Sequence, residues 1–422
     1  MLIRFFYTLL LALVAPLLLF GLYKSKPNKP KFGTRWKEHF GITPKLASSQ
    51  RPIWIHAVSV GESIAATPLI KALKKQNPEQ TIVVTTTTST GAEQIEKLGT
   101  LVEHRYMPID FGFAVKGFLN AIQPQKMLII ETELWPNTLH QVSKFGVPVT
   151  VVNARLSEKS RNNYAKFQPV FNVIEPCLTK ILCQSQSDAD HFESLGVAKS
   201  KLVVTGSIKF DIQISDEVKA KGKALRAELG VNRPVWIAAS THKGEDEQIL
   251  EAHKEVLNTY PDALLMIVPR HPERFDDVVH LCQSSGFTTT RRTNTDIESY
   301  EKSQVYVGDT MGEMLVLIGA ADICFMGGSL IGDKVGGHNV LEPAALGVPV
   351  VTGPSYFNFP EIVNQLNSKN GIVITSSDNL SQIIGYYFSN FQERDILAKN
   401  AQQVVRANMG SIGKTIKKIQ SI

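Results

Sequence analysis

Several acidic and basic side chains of this chain fall where apolar runs stop. The candidate strand Ile53–Val58 runs into Ser59-Val60-Gly61-Glu62, which puts Glu62 at a strand-to-helix turn. There the positive end of the helix favours its ionised form. A carboxylate at the carboxyl end of a strand is a candidate general base. The plainer account is a first-turn helix acid without chemistry. The strand Met127–Ile130 ends in Glu131-Thr132-Glu133-Leu134-Trp135-Pro136-Asn137. Burying carboxylates is costly unless they are paired or used, so this pair reads as functional rather than as a cap for a helix starting near Pro136. The spacing does not choose between Glu131 and Glu133. Arg155, after the next strand, is a candidate partner for these acids. Lys209, in Thr205–Asp211, is either a point charge for a phosphate or a solvated linker lysine.

A second group of residues suits a nucleotide. Arg270 directly follows the strand Leu264–Val268 in Pro269-Arg270-His271-Pro272-Glu273-Arg274, and arginine suits bidentate phosphate contact. Thr310-Met311-Gly312-Glu313 opens a helix, offering backbone N–H groups or a simple threonine cap. Gly327-Gly328-Ser329 closes another strand, and Gly336-Gly337-His338-Asn339-Val340-Leu341-Glu342-Pro343 leads into a helix. Free N–H groups beside a helix N-terminus are a place for phosphate. Glu342 in the first turn could accept from ribose hydroxyls. Asp188-Ala189-Asp190 after Ser185 reads as the acidic first turn of a capped helix rather than a metal clamp. No HExxH and no GxxxxGK[ST] occurs.

These residues need elements to hold them, and the sequence alternates short β-branched runs with helical stretches. Strands are expected at Ile53–Val58, Thr81–Thr87, Met127–Ile130, Val147–Val152 and Lys180–Cys183. A second series covers Val235–Ala239, Leu264–Val268, Ser303–Val307, Asp322–Phe325 and Val348–Val351. Helices such as Glu62–Lys75, Glu245–Asn258 and Glu313–Ala320 lie between them. Such alternation implies parallel sheets covered on both faces. With 422 residues, the chain suits two doubly wound domains, breaking between Thr205 and Gly230. Ligands in such sheets bind beyond the carboxyl ends of strands.

The four cysteines show no CxxC spacing and read as reduced core residues. Lys24, Lys26, Lys29, Lys31, Arg35 and Lys37 carry a charge equal to the formal +6 of the whole chain. The remainder is neutral overall, so a basic groove for nucleic acid is not suggested. This basic block follows Phe5–Leu22, an uncharged run of about 27 Å as a helix, close to a hydrocarbon core of roughly 30 Å. No cleavage site follows it. An interfacial helix would need a polar face, which the run lacks apart from Tyr7 and Thr8. A single-pass N-terminal anchor is expected, with the body on the cytoplasmic side by the positive-inside rule and the lysines near anionic lipid headgroups.

Taken together, His56–Glu62, Glu131–Asn137, Asn153–Ser157, Thr205–Asp211, Pro269–Arg274, Gly308–Glu313 and Gly327–Glu342 resemble the motifs of the Kdo transferases of lipopolysaccharide synthesis. Kdo is the acidic eight-carbon sugar that joins the inner core to lipid A. The resemblance implies an α/β GT-B fold, two Rossmann-like doubly wound domains facing across a cleft and preceded by the anchor helix. The expected divisions are 1–23 anchor, 24–50 basic linker, 51–208 acceptor domain, 209–395 donor domain, and 396–422 helices packing back on the acceptor domain. It implies an inner-membrane enzyme, a CMP-Kdo donor and a lipid A precursor as acceptor, with no cofactor or metal and an inverting single displacement. By this resemblance Glu62 is the proton acceptor, and Glu131 and Lys209 stabilise the transition state. Pro269, Arg270, Met311, Gly312, Glu313, Asn339, Val340, Leu341 and Glu342 form the CMP pocket. Arg155 is the expected contact for the sugar carboxylate. The chain departs from many relatives at Pro343, where they carry Ala. The other enzyme considered is a GT-B member using a UDP-sugar and a lipid-linked acceptor, which would not explain the Glu131–Asn137 run.

Overall fold

The computed structural model describes residues 2–24, 30–48, 50–294 and 298–422. Lys26 and Lys29 of the basic segment lie outside the described residues. The chain divides into two units, Met1–Asp211 with Gly410–Ile422, and Ile212–Met409.

The first unit carries seven parallel strands: β1 (Ile53–His56), β2 (Ile82–Thr86), β3 (Glu103–Tyr106), β4 (Lys126–Ile130), β5 (Val149–Ala154), β6 (Lys180–Cys183) and β7 (Leu202–Val204). Their order is β3-β2-β1-β4-β5-β6-β7. Strand order therefore reverses between β1 and β4, whose registers pair Ile53 with Lys126 and His56 with Ile129. The central strands are buried on both faces, as helix-covered parallel strands must be. One face packs around Trp54, Phe118 and Phe171. The other packs around Ile55, Leu69 and Leu128, with Ile416 and Ile419 of the last helix added.

The second unit repeats the plan with β8 (Val235–Thr241), β9 (Leu264–Pro269), β10 (Thr289–Arg291), β11 (Val305–Val307), β12 (Ile323–Met326), β13 (Val350–Thr352) and β14 (Val373–Ile374). The order is β10-β11-β9-β8-β12-β13-β14, again parallel, with the reversal between β8 and β12. Its core gathers Trp236, Phe325, Ile249 and Phe388.

The chain returns to the first unit at Gly410, not at residue 396. Helix Phe391–Asn408 buries Leu397, Ala401 and Val405 within the second unit, and only Ser411–Gln420 joins the first. The point of departure and the point of return are tied together. Asp211 accepts from the Gly410 N–H (Oδ1, 2.5 Å) and the Ile412 N–H (Oδ2, 2.5 Å), capping that last helix. Gly206 has φ +87°, and a Cβ there would stand 2.4 Å from Ser411 Oγ. Only glycine allows this close approach.

Candidate active site

The two strands flanking the reversal in the first unit each end in one of the predicted acids. Beyond β1, Ser59 caps helix Val60–Gln76 by accepting from the Glu62 N–H. Glu62 turns back on the same loop. Its Oε2 accepts from the Val58 N–H at 2.7 Å and its Oε1 from Ser59 Oγ at 2.9 Å, two bonds that fix the side chain. The carboxylate is 8% exposed. Burial drives its pKa from 4.5 up to about 7, against the two hydrogen bonds and helped by the nearby charges of Glu133 and Glu131. A carboxylate titrating near neutrality is matched to accept a proton at working pH.

Glu131 follows β4 directly with φ +62°. Holding a non-glycine residue there is strained, and such strain concentrates at functional positions. Its Oε1 pairs with Lys209 Nζ at 2.8 Å, both side chains about a quarter exposed. That pairing separates the two acids that spacing left unresolved. Glu133 instead accepts from Trp135 Nε1 at 3.2 Å, and burial raises its pKa. The Trp135 ring packs edge-on to His56.

Lys209 is positioned by a residue the sequence reading did not single out. Asn153, also at positive φ (+57°), accepts the Ile208 N–H on its Oδ1 at 3.1 Å. The turn before Lys209 is thus hung from the end of β5. An asparagine at a strand end that must adopt a left-handed conformation is the available signal. Arg155 is joined through its backbone to Thr132, whose hydroxyl accepts the Arg155 N–H at 3.3 Å, one residue beyond Glu131. Asp188 forms the expected capping box with Ser185 and also accepts from the Leu156 N–H. Among the described residues no group of His, Cys, Asp and Glu is arranged to hold a metal ion.

In the second unit the glycine loop differs from expectation. The N–H groups of Gly328, Ser329 and Leu330 are not open to a phosphate. Glu245 accepts all three at 2.7, 3.0 and 3.0 Å, and also the His242 N–H. Glu245 follows β8 as Glu62 follows β1: Trp-Ile, a loop, then Gly-Glu into a helix. One carboxylate is consumed in bracing a loop, and the other keeps its acceptor capacity.

The remaining predicted nucleotide residues group at strand ends. Arg270 is exposed, with its backbone N–H bonded to the Thr241 carbonyl at the end of β8. Its charge acts on Glu342, whose pKa burial raises and whose Oε1 accepts from Asn339 Nδ2 at 3.3 Å. Asn339 also caps the short helix by accepting the Leu341 N–H. Arg274 pairs with the buried Asp246. Glu313 is gripped by Arg292 through two bonds of 3.1 and 3.2 Å and by Thr310 Oγ1. Arg292, absent from the sequence reading, therefore fixes the segment holding exposed Met311 and Gly312, the latter at φ +84°.

Comparison with known proteins places the chain in a family. Residues 34–212 match the 3-deoxy-D-manno-octulosonic-acid (Kdo) transferase family profile, and 238–404 match that of glycosyl transferases group 1. A curated 3-deoxy-D-manno-octulosonic acid transferase of Haemophilus influenzae is 40% identical, over 98% of this chain and 97% of its own. A probable mitochondrial one of Arabidopsis thaliana is 32% identical over 81% of this chain and 77% of its own. The solved UDP-GlcNAc 2-epimerase of Neisseria meningitidis, 15% identical, superposes with a TM-score of 0.56, covering 87% of this chain and 100% of that one, a likeness of fold alone. With two parallel α/β units of GT-B type and full-length identity to transferases of this one sugar, the chain belongs to the Kdo transferase family of glycosyltransferases.

Proposed function

We propose that this enzyme moves Kdo from CMP-Kdo to a lipid A precursor in one inverting displacement. Glu62 takes the proton from the acceptor hydroxyl. The freed oxygen attacks the anomeric carbon, and the bond to CMP breaks with its electron pair leaving on the phosphate. Arg270 and Lys209 meet that negative charge, in place of a metal ion. Glu131 holds Lys209 in position. Pro269, Arg270, Met311, Gly312, Glu313 and Asn339 through Glu342 bind the CMP portion. Arg155 receives the carboxylate of the sugar. The enzyme works at the cytoplasmic face of the inner membrane, where the acceptor resides, held by helix Leu2–Tyr23.

The observation that carries this reading is the pairing of a fixed carboxylate titrating near pH 7 with an adjacent Glu131–Lys209 ion pair. A base and a cation poised at neighbouring strand ends suit a displacement that moves a proton one way and negative charge the other. Competition by CMP against UDP tests the donor. CMP is expected to inhibit at concentrations where UDP does not, and preferential inhibition by UDP would overturn the assignment.

A further inference from the structure

The N-terminal helix Leu2–Tyr23 is 22 residues long, about 33 Å, and so has the length of a membrane span. Its attachments argue otherwise. Near its start, Tyr7 Oη donates to Asp110 Oδ2 at 2.8 Å, and Thr8 Oγ1 accepts from Asn137 Nδ2 at 2.9 Å. Arg4 Nε donates to Asn137 Oδ1 at 3.3 Å. At its end, Tyr23 Oη is bonded to His39 Nδ1 at 2.7 Å. The Tyr23 ring packs edge-on to Phe32. Every one of these partners belongs to the same unit. Asp110 and Asn137 are themselves buried, and Asp110 accepts from Asn137 and Thr138 at the start of helix Pro136–Lys144. A helix fastened at both ends to one globular unit cannot cross a bilayer unless that unit crosses with it.

The burial pattern along the helix agrees. Arg4, Tyr7, Thr8, Leu11, Ala15 and Leu19 are half-buried and recur at the spacing of one helical face. The opposite face is apolar and open, with Phe5, Leu9, Leu13, Leu17 and Phe20 between 50% and 74% exposed. The covered face begins polar, with Arg4, Tyr7 and Thr8, and continues apolar through Leu11, Ala15 and Leu19, and it is turned to protein instead of water. An apolar strip of this length is far more than a soluble surface carries. It is continued by exposed Lys24, Lys31 and Lys37 and by Trp36, 45% exposed. Basic residues beside an amphipathic aromatic complement an anionic headgroup layer.

We infer that helix Leu2–Tyr23 lies in the plane of the membrane surface as a monotopic anchor, with its open face in the lipid and the other clamped to the catalytic unit, in place of a single-pass span. The clamp reaches Asn137, six residues after Glu131 in the chain. The lipid surface is thereby held at a fixed height relative to the acidic site, which suits an acceptor whose acyl chains stay in the bilayer. The inference rests on the membrane location proposed above.

The test uses the full chain with an epitope tag at each end, in sealed inverted vesicles of known orientation. Protease added outside is expected to remove both tags. Protection of the N-terminal tag alone would show a span and overturn the inference. Recovery of an active enzyme in the soluble fraction would overturn the membrane seat while leaving the transferase reading intact. On vesicles of phosphatidylcholine and phosphatidylglycerol, the double variant L13D/L17D is expected to bind at least about tenfold more weakly than wild type. Its activity on detergent-dispersed acceptor should be unchanged. Equal vesicle binding would also refute the in-plane face.

Discussion

Replacing Glu62 by glutamine removes its charge while keeping its shape, and the result can be worked in advance. A carboxyl whose folded pKa lies above its unfolded one binds its proton more tightly in the folded chain. Folding therefore keeps that increment below about pH 4.5 and loses it as pH rises through the window to about 7. The shift corresponds to about 3 kcal/mol. Glutamine cannot ionise, and its carbonyl still accepts the Val58 N–H. At pH 8 Glu62→Gln is expected to be more stable than wild type by up to about 3 kcal/mol, or about 6–12 °C in Tm for a unit of this size. At pH 5 most of the gain should vanish. Turnover should fall about 10²–10⁴-fold, the usual worth of a general base. Differential scanning fluorimetry at both pH values, with initial rates from labelled donor, reads both effects. A Tm difference that does not depend on pH would refute the burial argument. More than about a tenth of wild-type turnover would refute the role as base.

The wild-type rate should drop about tenfold per pH unit below 7 as Glu62 protonates. Lys209→Met should cut kcat by about 10²–10³ and move that acid limb to higher pH, because Glu131 would then repel the Glu62 charge without compensation; a pH–rate profile checks both. Arg270→Ala should raise the KM for the donor by at least about tenfold, the loss of one charge-assisted contact, with the melting temperature unchanged because its side chain is exposed. Glu245→Ala leaves the N–H groups of Gly328, Ser329 and Leu330 unpaired and should destabilise the second unit by about 3 kcal/mol or more, visible in denaturant unfolding.

Strands with apolar runs could be read directly, and all ten expected positions carry strands within about two residues. The four that escaped, Glu103–Tyr106, Leu202–Val204, Thr289–Arg291 and Val373–Ile374, are the edges of the two sheets. Edge strands are short and bury less, so Glu-His-Arg-Tyr and Thr-Thr-Arg carry no apolar signature. Glu62 was legible because its local sequence alone builds its cap. Which of Glu131 and Glu133 pairs with Lys209 was not, since that lysine is brought in from 78 residues away. The glycine loop misled for a similar reason. Its N–H groups look free in sequence, and the residue that fills them, Glu245, lies more than 80 positions earlier. The N-terminal helix shows the same limit: hydropathy gives its length, but only Asp110, Asn137 and His39 show which face is covered.

The most direct test of the central claim is a product mass. The purified enzyme is incubated with CMP-Kdo and a tetraacylated lipid A precursor in detergent, with EDTA present, and the lipid is weighed by mass spectrometry. A gain of one or more Kdo units is expected, and it counts the additions. An unchanged lipid from folded protein, with turnover of a UDP-sugar instead, would contradict the account.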